Sequence, residues 1–583
     1  MKGEMRKLTV CGLLALLAVL PAAAQHPARP HYPERTRQGR SVVMSRQGIV
    51  AAENPLAAAI GAQILAEGGN AVDAILATNA AMGVTEPMMN GLGGDLFAIV
   101  YLAPHGGHRG RLYGLNASGW SPQAMTIAFL RRHGFRHMPQ HGVYSITVPG
   151  VVDGWAQLRR RFGTMSWRQI LTPAITLART GFPVPEWDAL YWRYASHLRA
   201  DPTAAHIYLP GGRPPATGQV FRNPTLARNL QLIAQGGRKA FYDGPLARRI
   251  VRFLRHRGSP MTLADFSSFH SQWVQPLSVM YHGWRVFELP PNGQGIAALE
   301  MLNLMSRFPL ARWGHNSANA LQVMIEAKKL AYADLLRYIG DPRFSKIPIT
   351  GLLSPAYAAQ RAKLIHLRHA NCDVGPGDPF PYLGDTNYLT AVDSHGNMVS
   401  LIQSNYDAFG SWLVAPGTGF VLQDRGALFN LHPGSPNALA GHKRPLHTII
   451  PGFMEKGPWR LSFGIMGGFN QAQAHAQFVS NVVDFHMNIQ EALEAPRFTK
   501  LDFRGCDVMM EDRIPAAVRA ALTARGQKIQ LLPPYASAVG GGQAVERNLA
   551  TGVNYGASDP RKDGEAVPQP ILPVRPAAPA GRR

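Results

Sequence analysis

Thr386 is the residue of this 583-residue chain whose setting points most clearly to chemistry. It opens the strand-like run T-N-Y-L-T-A-V-D, and a stretch rich in Gly, Pro and Asp precedes it from about residue 366. By itself, a Thr that opens a strand is an ordinary β-branched residue of a sheet. The loop changes this expectation, because it would let a new chain end move away if the bond between Asp385 and Thr386 were cut. Thr386 is therefore a candidate hydroxyl nucleophile.

A second hydroxyl, that of Ser404, is expected close to Thr386. The runs T-N-Y-L-T-A-V-D and M-V-S-L-I-Q-S-N flank S-H-G-N, which is a pattern typical of a β-hairpin. If residues 394–397 form the turn, Thr386 faces Asn405, and with a shift of one residue it faces Ser404 instead. In either register the Ser404 hydroxyl lies within one position of Thr386, where it can orient the nucleophile.

Gly467 and Gly468 are candidates for an oxyanion-binding turn. The run W-R-L-S-F-G-I-M-G-G-F-N-Q-A-Q-A-H-A-Q-F-V predicts a strand, a Gly-Gly turn and then a helix. Backbone N–H groups beside a helix start can hold a developing negative charge. The alternative is a plain tight turn, since a pair of glycines alone is weak evidence.

The sequence pattern predicts helices in the part of the chain that precedes Thr386. The segment from Asn54 to Val84 reads as two helices separated at Gly68 and Gly69, and another helix is predicted around A-L-Q-V-M-I-E-A-K-K-L-A-Y-A-D-L-L-R-Y. With 46% hydrophobic residues, the chain can bury a large core and is longer than one ordinary domain.

The formal net charge of +23 raises the question of a nucleic-acid partner. The basic residues are scattered, however, and no Arg/Lys block is interleaved with aromatic residues. We therefore expect no nucleic-acid partner, and favour a basic surface suited to its surroundings or to anionic envelope components.

Cysteine and histidine usage argues against a metal site. Only Cys372 and Cys506 lie outside the N-terminal apolar run, so a cysteine-based site is excluded, and no histidine pair has H-E-x-x-H spacing. We expect no metal and no cofactor. Two separate thiols are the expectation for this pair, and a disulfide formed in an oxidising compartment is the alternative.

Residues 1–24 are expected to form a signal peptide. Lys2, Arg6 and Lys7 precede the apolar run L-T-V-C-G-L-L-A-L-L-A-V-L, and A-A-A-Q follows as a cleavage site after Ala24. The alternative, a membrane anchor, needs a longer apolar run. No later stretch is long enough to span a bilayer, so we expect a periplasmic or secreted protein without a membrane span in its mature form.

The sequence resembles the γ-glutamyltransferase (γ-glutamyltranspeptidase, glutathione hydrolase) family. The segment T-N-Y-L-T-A-V-D-S-H-G-N-M-V-S-L-I-Q-S-N-Y-D-A-F-G-S looks like the start of the family's small subunit. Other matching stretches follow in one order over nearly the whole chain, among them E-G-G-N-A-V-D-A, N-G-L-G-G-D-L-F, V-P-G-V-V-D-G-W, Y-A-D-L-L-R-Y-I-G-D-P, K-R-P-L-H-T, E-A-P-R-F and Y-G-A-S-D-P-R. The resemblance implies an α/β (α+β) fold, the four-layer αββα sandwich of the N-terminal-nucleophile hydrolases. It also implies a large subunit, 25–385, and a small subunit, 386–583, that stay together.

The resemblance further implies a mechanism. Thr386 Oγ attacks the carbonyl carbon of Asp385, and hydrolysis of the resulting ester frees the α-amine of Thr386. An amine of pKa ~8 suits a general base near neutral pH. The activated hydroxyl forms an acyl-enzyme with an amide substrate, Gly467 and Gly468 hold the oxyanion, and water, an amino acid or a peptide takes the acyl group.

The residues expected to bind a γ-glutamyl substrate are largely replaced in this chain. An Arg that binds the α-carboxylate in glutathione-cleaving members falls on Ser118 here, and an Asp that binds the α-amine falls on Leu428. A carboxylate-binding Asn falls on Tyr406, and a pair of serines falls on His447 and Thr448. The segment that covers the substrate in those members also looks shortened here. This pattern resembles a branch of the family that includes acylases.

Arg425 is a candidate ligand for a carboxylate on a different acyl group, because it lies close in sequence to Leu428. A surface or structural ion pair is the commoner reason for such an arginine. Our first hypothesis is a γ-glutamyl hydrolase or transferase, as the family implies. The second is an acylase for another amide, such as a glutaryl amide, and the third is an inactive envelope-binding protein, against which the retained Thr386 and Ser404 argue.

Overall fold

A computed structural model describes residues 38–374 and 385–571 of the chain. The expected signal peptide, most of the loop before Thr386 and the tail after residue 571 lie outside the described residues. No helix of the described part is long and apolar enough to cross a membrane.

The described residues form nineteen β-strands. In chain order they are β1 Val43–Ser45, β2 Ile49–Ala52, β3 Asp95–Leu102, β4 Arg111–Ala117, β5 Phe182–Pro183, β6 Val220–Phe221, β7 Gln272–Val274, β8 Leu277–Tyr281, β9 Trp284–Glu288, β10 Asp385–Val392, β11 Met398–Tyr406, β12 Gly452–Lys456, β13 Trp459–Ile465, β14 Phe498–Thr499, β15 Asp507–Glu511, β16 Lys528–Leu532, β17 Gly542–Asn548, β18 Val553–Ser558 and β19 Glu565–Pro568.

Eighteen α-helices accompany these strands in the described part. They are α1 Pro55–Ala66, α2 Ala71–Thr85, α3 Ile127–Arg132, α4 Val151–Phe162, α5 Trp167–Thr180, α6 Glu186–Trp192, α7 Pro202–Tyr208, α8 Pro224–Tyr242, α9 Pro245–His256, α10 Leu263–Ser267, α11 Gly295–Met305, α12 Leu310–Trp313, α13 Ala318–Tyr338, α14 Ile349–Leu352, α15 Pro355–Ala362, α16 Gln471–Val483, α17 Ile489–Glu494 and α18 Ala516–Ala524.

Two seven-stranded sheets stack on each other between two layers of helices. One sheet has the order β19-β2-β10-β11-β3-β4-β7, and the other has the order β1-β18-β17-β13-β12-β9-β8. A core that includes Phe97, Tyr388 and Phe453 fills the space between them. The outer face of the first sheet packs against helices that include α1, α2 and α5, and the outer face of the second packs against α11, α13 and α16. The expected four-layer αββα fold is confirmed.

The sequence explains why the central strands lie where they do. β3 reads D-L-F-A-I-V-Y-L, and seven of its eight residues are buried. A strand that is covered on both faces needs apolar residues at consecutive positions, because successive side chains point to opposite faces. Leu389 therefore joins the helix side of its sheet while its neighbour Tyr388 joins the core between the sheets.

The predicted helices occur with clear termini. Asn54 and Asn70 accept hydrogen bonds from the first backbone N–H groups of α1 and α2, and Asp73 completes a capping box for α2. Gly68 adopts φ +95° between the two helices, as the Gly-Gly break requires. The helix predicted around A-L-Q-V-M-I-E is α13.

The expectation of two separate thiols is wrong, because Cys372 and Cys506 form a disulfide. The two residues are 134 positions apart in sequence, and tertiary packing brings them together before β15. A backbone hydrogen bond of 3.1 Å from the Gly505 N–H to the Cys372 carbonyl holds the two segments side by side.

Candidate active site

Thr386 and Ser404 face each other across the β10–β11 hairpin. The Thr386 hydroxyl donates to the Ser404 Oγ at 3.3 Å, and the same Oγ accepts from the Tyr406 backbone N–H at 2.8 Å. Both residues are buried. The register of the pair Asn387 and Gln403 puts Thr386 opposite Ser404, so the second of the two expected registers is confirmed.

The first register, with Thr386 opposite Asn405, is wrong by one residue because the turn is longer than S-H-G-N. Val392 pairs with Met398, so the turn also includes Asp393. The Asp393 Oδ1 accepts from the N–H groups of His395 and Asn397, each at 3.0 Å. An Asp that bonds its own backbone two residues on stabilises such a loop.

The Asp385–Thr386 bond lies at an irregular point of the hairpin. β10 begins at Asp385, one residue before the expected start. Asp385 pairs with Tyr406 while Asn387 pairs with Gln403, so β11 carries one extra residue opposite this bond. Tyr406 has φ +82°, which is unusual for a residue other than glycine. A bulge of this kind bends a strand and re-aims the side chains beside it.

Acidic side chains anchor the strand immediately after Thr386. The Asn387 Nδ2 donates to Glu86 at 2.5 Å and to Glu53 at 3.2 Å, and the Tyr388 N–H donates to Glu53 at 2.9 Å. Lys562 lies 3.6 Å from Glu53. Burial, followed by the charge of Glu53, raises the pKa of Glu86 to about 8, so Glu86 is mainly protonated at neutral pH.

Gln471, the first residue of α16, also contacts the hydroxyl of Thr386, and the sequence did not reveal this contact. Its Nε2 donates to the Thr386 Oγ1 at 3.4 Å, and its Oε1 accepts from the Ile450 N–H at 3.0 Å. The second contact fixes the orientation of the amide, so that the NH₂ group faces the hydroxyl. The one available signal was its place three residues after Gly468, at the predicted helix start.

The Gly467–Gly468 turn lies between β13 and α16, as predicted. Both glycines have positive φ, +120° and +57°, which residues with a side chain rarely adopt. Neither N–H donates a backbone hydrogen bond to another described residue. The Gly468 carbonyl accepts from the Gln294 Nε2 at 2.8 Å, and this contact fixes the turn from behind. The turn thus has two N–H groups available for an oxyanion.

The structure gives His447 and Ser118 structural partners. The His447 Nε2 lies 3.1 Å from Asp95, and its Nδ1 accepts from the Ile449 N–H, so the ring donates from Nε2. Burial lowers the pKa of His447 well below its usual range, and burial raises the pKa of Asp95 to about 6. The Ser118 Oγ accepts from the Asn292 Nδ2 at 3.1 Å.

Arg425 is fully buried, so of the expected alternatives, a surface or structural ion pair, the surface pair is wrong. Its Nη1 donates to the Thr448 Oγ1 at 2.6 Å, and its guanidinium carbon lies 4.6 Å from the centre of the Tyr406 ring. Among the described residues it forms no ion pair within 4.0 Å, and its Nε and Nη2 have no hydrogen-bond partner. Burial lowers the pKa of Arg425, but a guanidinium stays charged at neutral pH.

Leu428 shares a short 3-10 turn, Arg425–Leu428, with this arginine. Its side chain packs in the helix-side core that also contains Tyr406. An apolar side chain at this position offers nothing to an ammonium group. The candidate residues Tyr406, Arg425 and Thr448 are therefore in direct contact, and Leu428 adds an apolar wall to the same turn.

Two stacked sheets between helices, with a buried hydroxyl residue at the start of a central strand, define the class of N-terminal-nucleophile hydrolases. The family model described as gamma-glutamyltranspeptidase matches residues 57–569. The chain belongs to the γ-glutamyltranspeptidase family, whose members are hydrolases of this class.

Individual relatives cover nearly the whole chain. The chain is 34% identical to a glutathione hydrolase-like YwrD proenzyme of Bacillus subtilis, over 91% of this chain and 99% of the relative. It is 33% identical to an oxamate amidohydrolase proenzyme of Klebsiella pneumoniae, over 90% of this chain and 99% of the relative. The solved structure of a cephalosporin acylase from Bacillus halodurans is 39% identical, with a TM-score of 0.86 over 94% of this chain and 100% of that chain.

Proposed function

We propose that the protein is a self-processing amidohydrolase and that Thr386 is its nucleophile. Its substrate is an amide whose acyl group ends in a carboxylate. Thr386 Oγ attacks the carbonyl carbon of Asp385, the amide nitrogen of Thr386 leaves and takes up a proton, and water hydrolyses the ester. The products are a large chain, 25–385, and a small chain, 386–583. The irregular hairpin at this bond and the Thr386–Ser404 contact of 3.3 Å support this step.

The freed α-amine then acts as the general base for substrate cleavage. It takes the proton of the Thr386 hydroxyl while Oγ attacks the substrate carbonyl, and the leaving amine is protonated as the C–N bond breaks. Water or an acceptor amine releases the acyl group. Gln471 and Ser404 hold the nucleophile, and the N–H groups of Gly467 and Gly468 stabilise the oxyanion.

The observation that carries the substrate proposal is the buried guanidinium of Arg425. The charges of Asp95 and Asp424 act on this cation, but no described carboxylate lies within 4.0 Å of it. Its Nε and Nη2 have no hydrogen-bond partner in the described part, and buried polar groups without partners are costly. Two N–H groups on one planar guanidinium match a carboxylate in bidentate geometry. Two relatives agree with this chemistry: one is an oxamate amidohydrolase, and oxamate is an amide whose acyl group carries a carboxylate, while the other is a cephalosporin acylase.

The γ-glutamyl hypothesis has less support from the site. A γ-glutamyl group carries an α-ammonium beside its carboxylate, and an ammonium needs a carboxylate or carbonyl partner. Leu428 gives none, and the positive charge of Arg425 repels an ammonium. The inactive-protein hypothesis conflicts with the buried contacts of Thr386 with Ser404 and Gln471.

Three anilides with one leaving group test the proposal. Glutaryl p-nitroanilide ends in a carboxylate, pentanoyl p-nitroanilide has a methyl group there, and γ-glutamyl p-nitroanilide adds the α-ammonium. We expect the highest kcat/KM for the glutaryl amide. Arg425→Met should lower it by about 10²-fold, which corresponds to the loss of charged hydrogen bonds, and should change the pentanoyl value by less than about threefold.

Arg460→Met is the matched control, because Arg460 also lies over a tyrosine ring, at 5.5 Å from Tyr101, but in β13. It should leave all three values within about twofold. A wild-type preference for the γ-glutamyl amide, or an equal loss on glutaryl and pentanoyl amides in Arg425→Met, would overturn the substrate assignment. Activity that survives in Thr386→Ala would overturn the nucleophile itself.

A further inference from the structure

After Tyr406, the last residue of β11, the chain forms a loop that comes back to the end of this strand at Asp424 and Arg425. The Asp424 N–H donates to the Asn405 carbonyl at 3.2 Å, and the Asp407 N–H donates to the Asp424 Oδ1 at 3.1 Å. Immediately outside this pair, Arg425 lies over the Tyr406 ring. We call the Asp407–Asp424 pair the neck of the 406–425 loop.

His141, from a distant part of the sequence, completes a three-residue cluster at the neck. Its Nδ1 lies 3.3 Å from the Asp424 Oδ2, and its Nε2 lies 4.0 Å from the Asp407 Oδ2. One ligand atom from each of the three residues lies within 4.8 Å of the others. The imidazole stacks on the Trp412 ring at 3.7 Å, and this ring stacks on His197 at 4.6 Å, so the orientation of His141 is restrained.

The carboxyl oxygens of the cluster are only partly satisfied by contacts with the protein. The Asp424 side chain is fully buried, and in the described part of the chain its Oδ2 has no hydrogen-bond partner. The Asp407 Oδ1 is likewise buried without a partner. The Gln140 amide donates to the Asp407 Oδ2, and the Gly410 carbonyl lies 3.1 Å from the His141 Nδ1. Two adjacent carboxyl groups therefore share one imidazole, and the charge of Arg425 acts on both only from beyond 4.0 Å. The two oxygens without a hydrogen-bond partner are thus available to a cation.

We propose that His141, Asp407 and Asp424 bind one divalent cation of a first-row transition metal, in the series from Mn²⁺ to Zn²⁺. One imidazole nitrogen and two carboxylate oxygens suit these metals better than Ca²⁺, which takes six to eight oxygen ligands. The Gln140 Oε1, a buried oxygen without a hydrogen-bond partner in the described part, is a candidate fourth ligand. This proposal departs from the sequence-based expectation of no metal, because the three residues are brought together only by folding.

A cation at the neck would also affect Arg425, which we assign to the carboxylate of the substrate. It would tie the two ends of the 406–425 loop to each other and to residue 141. Tyr406 and Arg425 directly adjoin these ends, so the metal would hold the guanidinium in place. The cation is a structural element in this proposal and takes no part in the bond cleavage by Thr386.

Metal titration of the full processed protein tests the site. Protein freed of metal by dialysis against a chelator is titrated calorimetrically with Mn²⁺, Zn²⁺ and Ca²⁺. We expect one equivalent of Mn²⁺ or Zn²⁺ to bind, and Ca²⁺ to bind at least about tenfold more weakly. His141→Gln and Asp424→Asn should each lower the affinity by about tenfold or more.

His282→Gln is the matched control, because His282 also pairs with a buried aspartate, Asp484 at 2.7 Å, but lacks a second carboxylate. It should bind the metal like the wild type. The circular dichroism spectrum of each variant should match that of the wild type, which shows that a loss of metal binding is not caused by a loss of the fold. Absence of binding in the wild type, unchanged affinity in both cluster variants, or equal affinity for Ca²⁺ would each overturn the proposal.

Discussion

Thr386 and Ser404 lie opposite each other in neighbouring strands, and their hydroxyl oxygens are 3.3 Å apart. The Ser404 oxygen is itself fixed by the Tyr406 N–H, so it gives the Thr386 proton a defined direction. Together with Gln471, it gives the Thr386 hydroxyl two polar contacts that orient it. Such preorganisation is what a self-cleaving hydroxyl needs.

Replacement of the nucleophile tests processing first. Thr386→Ala removes the attacking oxygen, so the purified protein should remain one chain and be inactive on every anilide. The wild type should give two chains, the smaller beginning T-N-Y-L-T. Thr390→Ala is the control, since Thr390 lies in the same strand and its hydroxyl contacts Ser462 at 2.7 Å rather than Ser404, and it should still be processed. N-terminal sequencing decides the matter, and a processed, active Thr386→Ala protein would contradict the mechanism.

The contact of Gln471 gives a second prediction. Gln471→Met removes the donor to the Thr386 oxygen while keeping the side-chain length, so kcat should fall by about 10- to 100-fold, and KM should change little. Gln473→Met is the control, because Gln473 lies in the same helix but contacts Phe469 and Lys500. A kcat for Gln471→Met equal to that of the control would remove Gln471 from the site.

The sequence could predict what depends on local pattern, and it failed where tertiary packing decides. The hairpin, the two N-terminal helices and the Gly467–Gly468 turn follow from periodicity and turn residues. The burial of Arg425 does not, because a polar turn residue looks the same in sequence whether other side chains or water surround it in the folded protein. The predicted hairpin turn, residues 394–397, is one residue too short, because Asp393 also belongs to the turn and its side chain bonds the turn backbone.

The disulfide leads to a third prediction. Cleavage before Thr386 puts Cys372 in the large chain and Cys506 in the small chain, so the bond joins the subunits covalently. A non-reducing gel of processed protein should show one band, and reductant should give two. Cys372→Ser should give two bands without reductant and should keep its activity, because neither cysteine contacts Thr386 in the described structure. Two bands from the unreduced wild type would contradict the disulfide.

The buried carboxyl of Glu86 gives stability a pH dependence. Its pKa rises from 4.5 to about 8 on folding, so between these values the folded chain holds a proton that the unfolded chain has lost. This contribution to stability is complete below pH 4.5 and is lost as the pH rises through 8. Glu86→Gln, which mimics the protonated group, should reduce the loss of stability between pH 5 and 9 by up to about 4 kcal/mol.

The free energy of unfolding, measured by urea denaturation at pH 5, 7 and 9 for the wild type and Glu86→Gln, tests this prediction. Glu67→Gln is the control, because Glu67 caps the exposed end of α1 and bonds Gln63 at 2.7 Å. It should leave the pH dependence of the wild type unchanged. If Glu86→Gln shows the same pH dependence as the control, Glu86 is ionised in the folded protein at neutral pH.

Leu428 and Arg425 stand at the two ends of one 3-10 turn, where side chains three residues apart lie on the same face. A carboxylate introduced by Leu428→Asp should therefore pair with the guanidinium that we assign to the substrate. Because it competes with the substrate carboxylate, KM for the glutaryl anilide should rise about tenfold or more, while kcat should change less. Hydrolysis of the γ-glutamyl anilide should not improve, since the new carboxylate is occupied by Arg425. Leu428→Asn, of the same size but neutral, separates charge from shape and should raise KM by less than about threefold. A gain of γ-glutamyl hydrolysis in Leu428→Asp would show that the pocket accepts an α-ammonium, and that Arg425 faces elsewhere.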